Sequence, residues 1–339
     1  MSATSSIEWT DATWSPIRGC TRIASGCVNC YAERMAARGL PGLNSPTTGN
    51  PFAVMTPSGP RWTGEVELIE SQLEVPLHWK RPRRIFVNSI SDTFHESVPL
   101  LTIATLFGIM AVAGAHKPRE NGKFGGKYKP GRGWYDEKGP HTFLVLTKRG
   151  KRMREIVASG LFQCEVSHAA YKWAHDRRDA GYLCDCIYQD RDAAWCAPGR
   201  HGRLWPLPNV WLGASASTRP DLDAQIEHLR ATPAAVRFLS LEPLIADVGT
   251  IDLSGIGWVI VGGESGPGAR PCQVEWIRSV VRQCAAAGVP CFVKQMGSVW
   301  AREGYDMCHT AGEKWNHKGS NPAEWPEDLQ VRELPGGAK

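Results

Sequence analysis

The sequence predicts an α/β protein folded as a partial or complete (β/α) barrel with long loop insertions, and three observations carry that prediction. Short apolar runs rich in β-branched and aromatic residues recur along the chain. Segments with helical spacing lie between them, which implies parallel strands joined by right-handed crossovers. Polar and charged residues follow nearly every run, on the face where a parallel barrel builds its site. An open doubly wound sheet is the alternative with the same alternation.

The first strand is read at 12–17, directly before a cysteine-bearing loop. RIFV at 84–87, TFLVL at 142–146, VWLG at 210–213, VRFL at 236–239, WVIV at 258–261 and CFV at 291–293 follow. Each is too short and too β-branched or aromatic for a helix. Helical spacing is read at 66–79, where Val66, Ile69, Leu73 and Leu77 share a face, and at the nearly all-apolar 100–112. It recurs at 222–229 and at 274–287, which stops at Gly288. Three insertions interrupt the pattern: the Pro/Gly-rich 42–61, read as loop; the basic 115–141, read as a solvated loop; and 161–208, which carries its own cysteines. Residues 1–298 are therefore assigned to one barrel-like domain and 299–339, with Trp300, Trp315 and Trp325, to a C-terminal tail element.

Composition narrows the classes of function. A chain of 339 residues can bury a full core. A net charge of +5 is too small to argue nucleic-acid binding alone. The opening MSATSSIEWTD has neither a basic start nor an apolar core, and no apolar run approaches the length of a membrane span. A cytoplasmic protein with no membrane partner is expected. Eleven cysteines in such a chain suggest metal ligation or reduced core thiols rather than a disulfide framework.

The main motif is Gly19-Cys20-Thr-Arg-Ile-Ala-Ser-Gly-Cys27-Val-Asn-Cys30, with the spacing Cys-x6-Cys-x2-Cys. Three thiolates on one short loop suit three irons of a [4Fe–4S] cluster and leave the fourth iron open. Gly19 and Gly26 permit the tight turns that convergence needs. A helix beginning near Val28 would set Cys30 in its first turn, where the dipole favours an anionic cluster. Zinc is the second reading, and it wants a fourth protein ligand. Ordinary core thiols, or a disulfide plus a free thiol, are the remaining ones.

A three-cysteine loop leaving the first strand of a (β/α) chain resembles the radical S-adenosylmethionine (SAM) superfamily. More closely, IEWTDATWSPIRGCTRIASGCVNCYAERMA, RIFVNSISDTFHE, FLVLTKR, NVWLGASAS, RFLSLEPLIADVG, VIVGGESGPGARP, CFVKQMG and NPAEWPEDLQVRELP resemble an uncharacterised family borne by phages, prophages and bacteria. The resemblance implies a partial or complete (β/α) barrel of radical SAM type, in a bacterial host or phage-encoded. SAM would chelate the open iron, and one-electron reduction by an electron donor would cleave it to methionine and a 5′-deoxyadenosyl radical that attacks a substrate. Two departures stand out: the first cysteine gap is six rather than three, and Asn29 rather than an aromatic precedes the last cysteine. The superfamily's Gly-Gly-Glu follows the second strand, whereas here Gly262-Gly263-Glu264 follows the sixth, so that role is not carried over.

Position at the strand ends supplies the remaining candidates. Ser89 and Asp92 are candidates for the SAM amino group, and Ser215 and Ser217 for the ribose. Gly262, Gly263 and Glu264 are candidates for contact with the cofactor. Lys148, Arg149 and Lys294 suit a carboxylate or a substrate phosphate, and Glu242 a substrate or ribose contact. A strand-end cap or structural salt bridge is the competing reading for each. A second group, Cys164, Cys184, Cys186, Cys196 and His201, is dense enough in ligand types for a zinc ion or a second cluster; scattered residues of a variable insertion are the alternative. Three functions are weighed: a radical SAM enzyme acting on an unknown substrate, a nucleic acid or nucleotide being the first candidate; a non-catalytic zinc- or cluster-containing nucleic-acid-binding phage protein; and a structural phage protein, which the polar strand ends argue against.

Overall fold

The computed structural model describes residue 5 and residues 7–39, 42–113, 128–129, 133–134, 140–173, 205–308 and 316–337. Seven strands form one all-parallel sheet: β1 (Ala12–Trp14), β2 (Arg84–Val87), β3 (Thr142–Thr147), β4 (Val210–Ser215), β5 (Val236–Leu241), β6 (Trp258–Val261) and β7 (Cys291–Val293). Their order in the sheet is their order in the chain. That order is the singly wound order of a barrel; the doubly wound alternative would reverse direction at a switch point.

The sheet is curled. Alternate residues of each strand face opposite ways. Phe143 and Val145 join the outer core beneath the helices, while Leu144 and Leu146 join an inner cluster with Phe86, Trp211, Phe238, Trp258 and Phe292. Trp9 stacks at 4.8 Å from Phe86 on β2 and 6.0 Å from Trp258 on β6. In a flat sheet four strand spacings of about 4.8 Å would hold those strands about 19 Å apart. One indole touching both means that the seven strands wrap into a half-barrel. Gly213 makes the wrap possible, since a Cβ there would stand 2.4 Å from the Phe238 ring.

The helices are α1 (Tyr31–Ala36), α2 (Leu100–Val112), α3 (Gly150–Val157), α4 (Gly160–Trp173), α5 (Arg219–Arg230), α6 (Val274–Ala287) and α7 (Ser298–Cys308). α6 ends at Gly288 with φ 66°, the left-handed stop that its glycine signals. Thr218 caps α5, accepting from the amide of Asp221. No described helix is long and apolar enough to cross a membrane.

Five expectations are corrected. Residues 66–79 form no α-helix: Glu67–Leu68 pairs with Ile17–Arg18, and two 3-10 turns follow, the second built around Pro76, which cannot donate inside a helix. The first strand stops at Trp14, with Ile17–Arg18 in that separate pairing. Within 42–61, Ala53–Thr56 and Gly59–Trp62 form a hairpin. The third insertion begins with α4, which packs closely on α2: a Cβ on Gly108 would meet Ala169 at 2.6 Å. The segment after α7 is integral to the sheet edge. Val293 donates to Val331, Glu333 donates to Cys291, and Trp325 and Leu329 are buried.

Candidate functional site

A cavity of about 840 Å³ opens at the carboxyl ends of the strands. Its wall takes Thr13 and Ser15 from the β1 end, Asn88 from β2, Lys148 from β3, Ser215 from β4, Glu242 from β5 and Lys294 from β7. These side chains are inward-facing, one layer above the aromatic cluster. The strands that place apolar residues at mid-length place polar ones at the mouth.

Cys20, Cys27 and Cys30 all line this cavity, and all three are free thiols. The intervening residues fasten the loop to the barrel. Thr21 accepts from Arg149 at 2.8 Å and bonds His95 at 2.9 Å. Arg22 forms a bidentate pair with Glu33, a fully buried carboxylate that also accepts from the amide of Trp62. Ser25 donates to Asp221 at the start of α5, and its carbonyl accepts from Arg270 at 2.9 Å. Asn29 donates to Glu264 at 3.0 Å and to the carbonyl of Gly268 at 2.8 Å. Gly26 has no room for a side chain, because a Cβ would stand 2.3 Å from Ser217 Oγ. Cys30 is the residue before α1 rather than within its first turn.

The electrostatics around the thiols are mixed. Burial, then the Asp92 carboxylate, pushes the Cys20 thiol up to about 12, against the opposing Arg149 charge. Burial likewise raises Cys30, which the Lys148 ammonium opposes. Cys20 and Cys30 therefore hold their protons at neutral pH and become thiolates when a cation supplies compensating charge. Among the described residues no three His, Cys, Asp or Glu side chains form a ready single-metal site.

The strand-end candidates separate into two groups. Lys148, Ser215, Glu242, Lys294 and Ser89 line the cavity. Lys148 donates to Ser215 at 2.8 Å and forms no ion pair with any described residue. Glu242 pairs with Lys294 and accepts from Gln295 at 2.8 Å. Ser89 keeps its side chain near Ser15, at 3.4 Å, while its carbonyl accepts from Tyr31.

The others are committed to the protein. Asp92 lines the cavity, but its carboxylate already accepts from Thr147 at 2.7 Å, the amide of Phe94 at 2.9 Å and Arg149 at 3.0 Å. Arg149, offered as an anion holder, is buried and divided among Asp92, Glu96 and Thr21. Ser217 is fully buried beneath Gly26, outside the cavity wall, with no partner for its hydroxyl. Gly262 and Gly263 face the backbone of Gln295 and Met296, so their close approach serves the junction of β6 with β7. Glu264 lines the cavity and holds Arg270 at 2.6 Å. Burial raises its pKa, and the bonds from Arg270 and Asn29 outweigh that and hold the carboxyl below the usual range.

Of the second cysteine group, only Cys164 is described: it is buried in α4, 3.9 Å from His168. Cys184, Cys186, Cys196 and His201 lie outside the described residues.

Sequence reasoning missed Asn29, Arg22, Glu33 and Arg270, the fastenings of the loop. Their signal was adjacency: three of the four sit between or just after the cysteines. Asn88 was also under-read. At φ 55° it occupies the left-handed region that asparagine tolerates, accepts from the amide of Ile17 and donates to Thr93.

No curated protein and no solved structure matches the chain. Residues 4–118 and 134–326 match the family described as "Protein of unknown function (DUF5131)", and the chain therefore belongs to that family.

Proposed function

We propose that the chain is a radical SAM-type enzyme in which Cys20, Cys27 and Cys30 hold a [4Fe–4S] cluster. The observation that supports it is the shared cavity: three free thiols of one clamped loop line the same space as the polar ends of the barrel strands. The donor set fits the group. Three soft ligands on separate loop positions suit three irons, and half-buried thiols at the cavity wall are open to a polycation that takes the place of their protons. The cavity is also large enough to take a nucleoside-sized ligand beside them.

When bound, the cluster with SAM supplies a carbon-centred radical by one-electron reduction. The chain's own residues do the rest. Lys148, bonded to Ser215 and without an ion pair among the described residues, holds an anionic group beside the loop. Ser215 and Ser89 offer hydroxyls to a polar ligand at the cavity wall. The Glu242–Lys294 pair presents one carboxylate and one ammonium at a fixed spacing. Asp92, Arg149, Glu264 and Arg270 position the loop. The inner aromatic layer of Phe86, Trp211 and Trp258 closes the floor and keeps water from entering through the barrel. A positioned substrate in a closed space is the protein's main contribution to a radical reaction.

The test is metal content and SAM binding in anaerobically purified protein. About four iron and four sulfide per chain is expected, with SAM retained in equilibrium dialysis. Cys20→Ala, Cys27→Ala and Cys30→Ala should each lose both. Full iron and sulfide in the triple variant, or a colourless protein with stoichiometric zinc, overturns the proposal.

A further inference from the structure

We propose that the substrate is a single-stranded nucleic acid, docked along the exposed face of α1 with one nucleotide presented to the strand ends; this rests on the radical SAM-type reading of the same cavity. α1 buries Ala32, Glu33 and Ala36 against the protein. Its other face carries Tyr31 and Met35 one turn apart, 52% and 37% exposed, and both line the cavity. Arg34 and Arg38 stand beside them at the same spacing and line the cavity as well. Trp62, from the hairpin packed on α1, adds a second aromatic ring to the wall. An aromatic ring and a thioether left in water beside two guanidinium groups is an arrangement that bases and phosphates satisfy together.

The charge balance points the same way. Every carboxylate lining the cavity is matched by a cation: Asp92 by Arg149, Glu242 by Lys294, Glu264 by Arg270, and Glu8 by Arg332 at 4.0 Å. Arg34, Arg38, Lys148 and Lys318 line the same cavity and form no ion pair among the described residues. Arg34 donates instead to the carbonyls of Pro267 and Asn29. The unmatched charge is therefore spread over three separate parts of the cavity lining: Lys148 at the end of β3, Arg34 and Arg38 on and just after α1, and Lys318 in the loop after α7. One carboxylate or phosphate would meet one of these cations. A chain of phosphates meets several, and its bases find Tyr31, Met35 and Trp62 between them.

The experiment is fluorescence anisotropy of labelled 12-nucleotide single strands, DNA and RNA in separate arms, titrated with the full cluster-containing chain over a range of salt. The strands are expected to bind with log Kd linear in log salt. Arg38→Gln and Lys318→Gln should each weaken binding and lower the slope by about 0.7, one phosphate contact on a single strand. Met35→Ala should weaken binding on the order of threefold with the slope unchanged. Unchanged iron and sulfide content shows that each variant has folded. The proposal is overturned if the charge variants bind as the parent does, or if a free mononucleotide displaces the strand at equal phosphate concentration. It is also overturned if heparin competes equally and Met35→Ala has no effect, which marks a mere polyanion surface. Release of 5′-deoxyadenosine from SAM, assayed on the same sample, separates the two claims. Release without strand binding defeats this proposal alone; strand binding without release defeats the radical reading.

Discussion

Gly26 lies so close over Ser217 that a side chain at position 26 has no room. The Ser217 hydroxyl is fully buried and unpartnered, so Ser217→Ala removes no bond and should leave stability unchanged or raised slightly. Gly26→Ala drives a methyl to 2.3 Å from that hydroxyl and should cost about 1–3 kcal/mol, read as a lowered urea midpoint. Adding Ser217→Ala to Gly26→Ala should recover most of the loss; no recovery would mean that backbone conformation, not this contact, makes position 26 a glycine. Lys148→Ala should leave iron content intact and weaken an anionic ligand of the cavity by about 10–100-fold, since it removes a charge-assisted bond. Lost iron in that variant would place Lys148 in loop support instead.

At the scale of elements, the loop between β1 and α1 is held by buried ion pairs rather than by apolar packing. Glu264 shows how this depends on pH. Its carboxyl sits below the usual range in the folded protein, so the unfolded state binds a proton first as pH falls. The stabilisation is fully present above the ordinary carboxylate pKa of about 4.3 and is lost as pH drops through the lower folded value. Glu264→Gln should cost about 1.5–3 kcal/mol at pH 7. The gap in urea midpoint between the two proteins should narrow steadily as pH falls below about 4.3, and a gap that stays constant on acidification would assign the loss to packing. The elements themselves were legible where one period dominated. β2 and α6 occupy the spans that pattern and turn residues mark, and α6 stops at its glycine. The span 66–79 misled because its apolar spacing suits a helix while Pro76 and the pairing of Glu67–Leu68 with Ile17–Arg18 forbid one. α4 was hidden by the cysteines and histidines that made its stretch read as insertion, although Gly108 on α2 was made for it.

For the whole molecule, the sequential strand order and the Trp9 seam between β2 and β6 define a half-barrel whose mouth gathers the strand ends. That gathering was foreseeable, because a parallel sheet sends every carboxyl end to one face. Which of those residues face the cavity was not, since Ser215 and Ser217, two apart on one segment, end one in the wall and one beneath the loop. Nor does local pattern tell that the segment after α7 seals β7, a contact between distant parts of the chain. Trp9→Ala should cost about 3–5 kcal/mol by opening the inner cluster, read as a lowered Tm with iron sites formed but less stable. A Tm unchanged within a degree would show that the seam is not what curls the sheet. The central claim is tested by anaerobic incubation of the iron-replete protein with dithionite and SAM, followed by chromatography. The account predicts 5′-deoxyadenosine and methionine in equal amounts, and neither from the Cys20→Ala, Cys27→Ala, Cys30→Ala triple variant. An iron-replete protein that releases no 5′-deoxyadenosine, or a triple variant that releases it as the parent does, would contradict it.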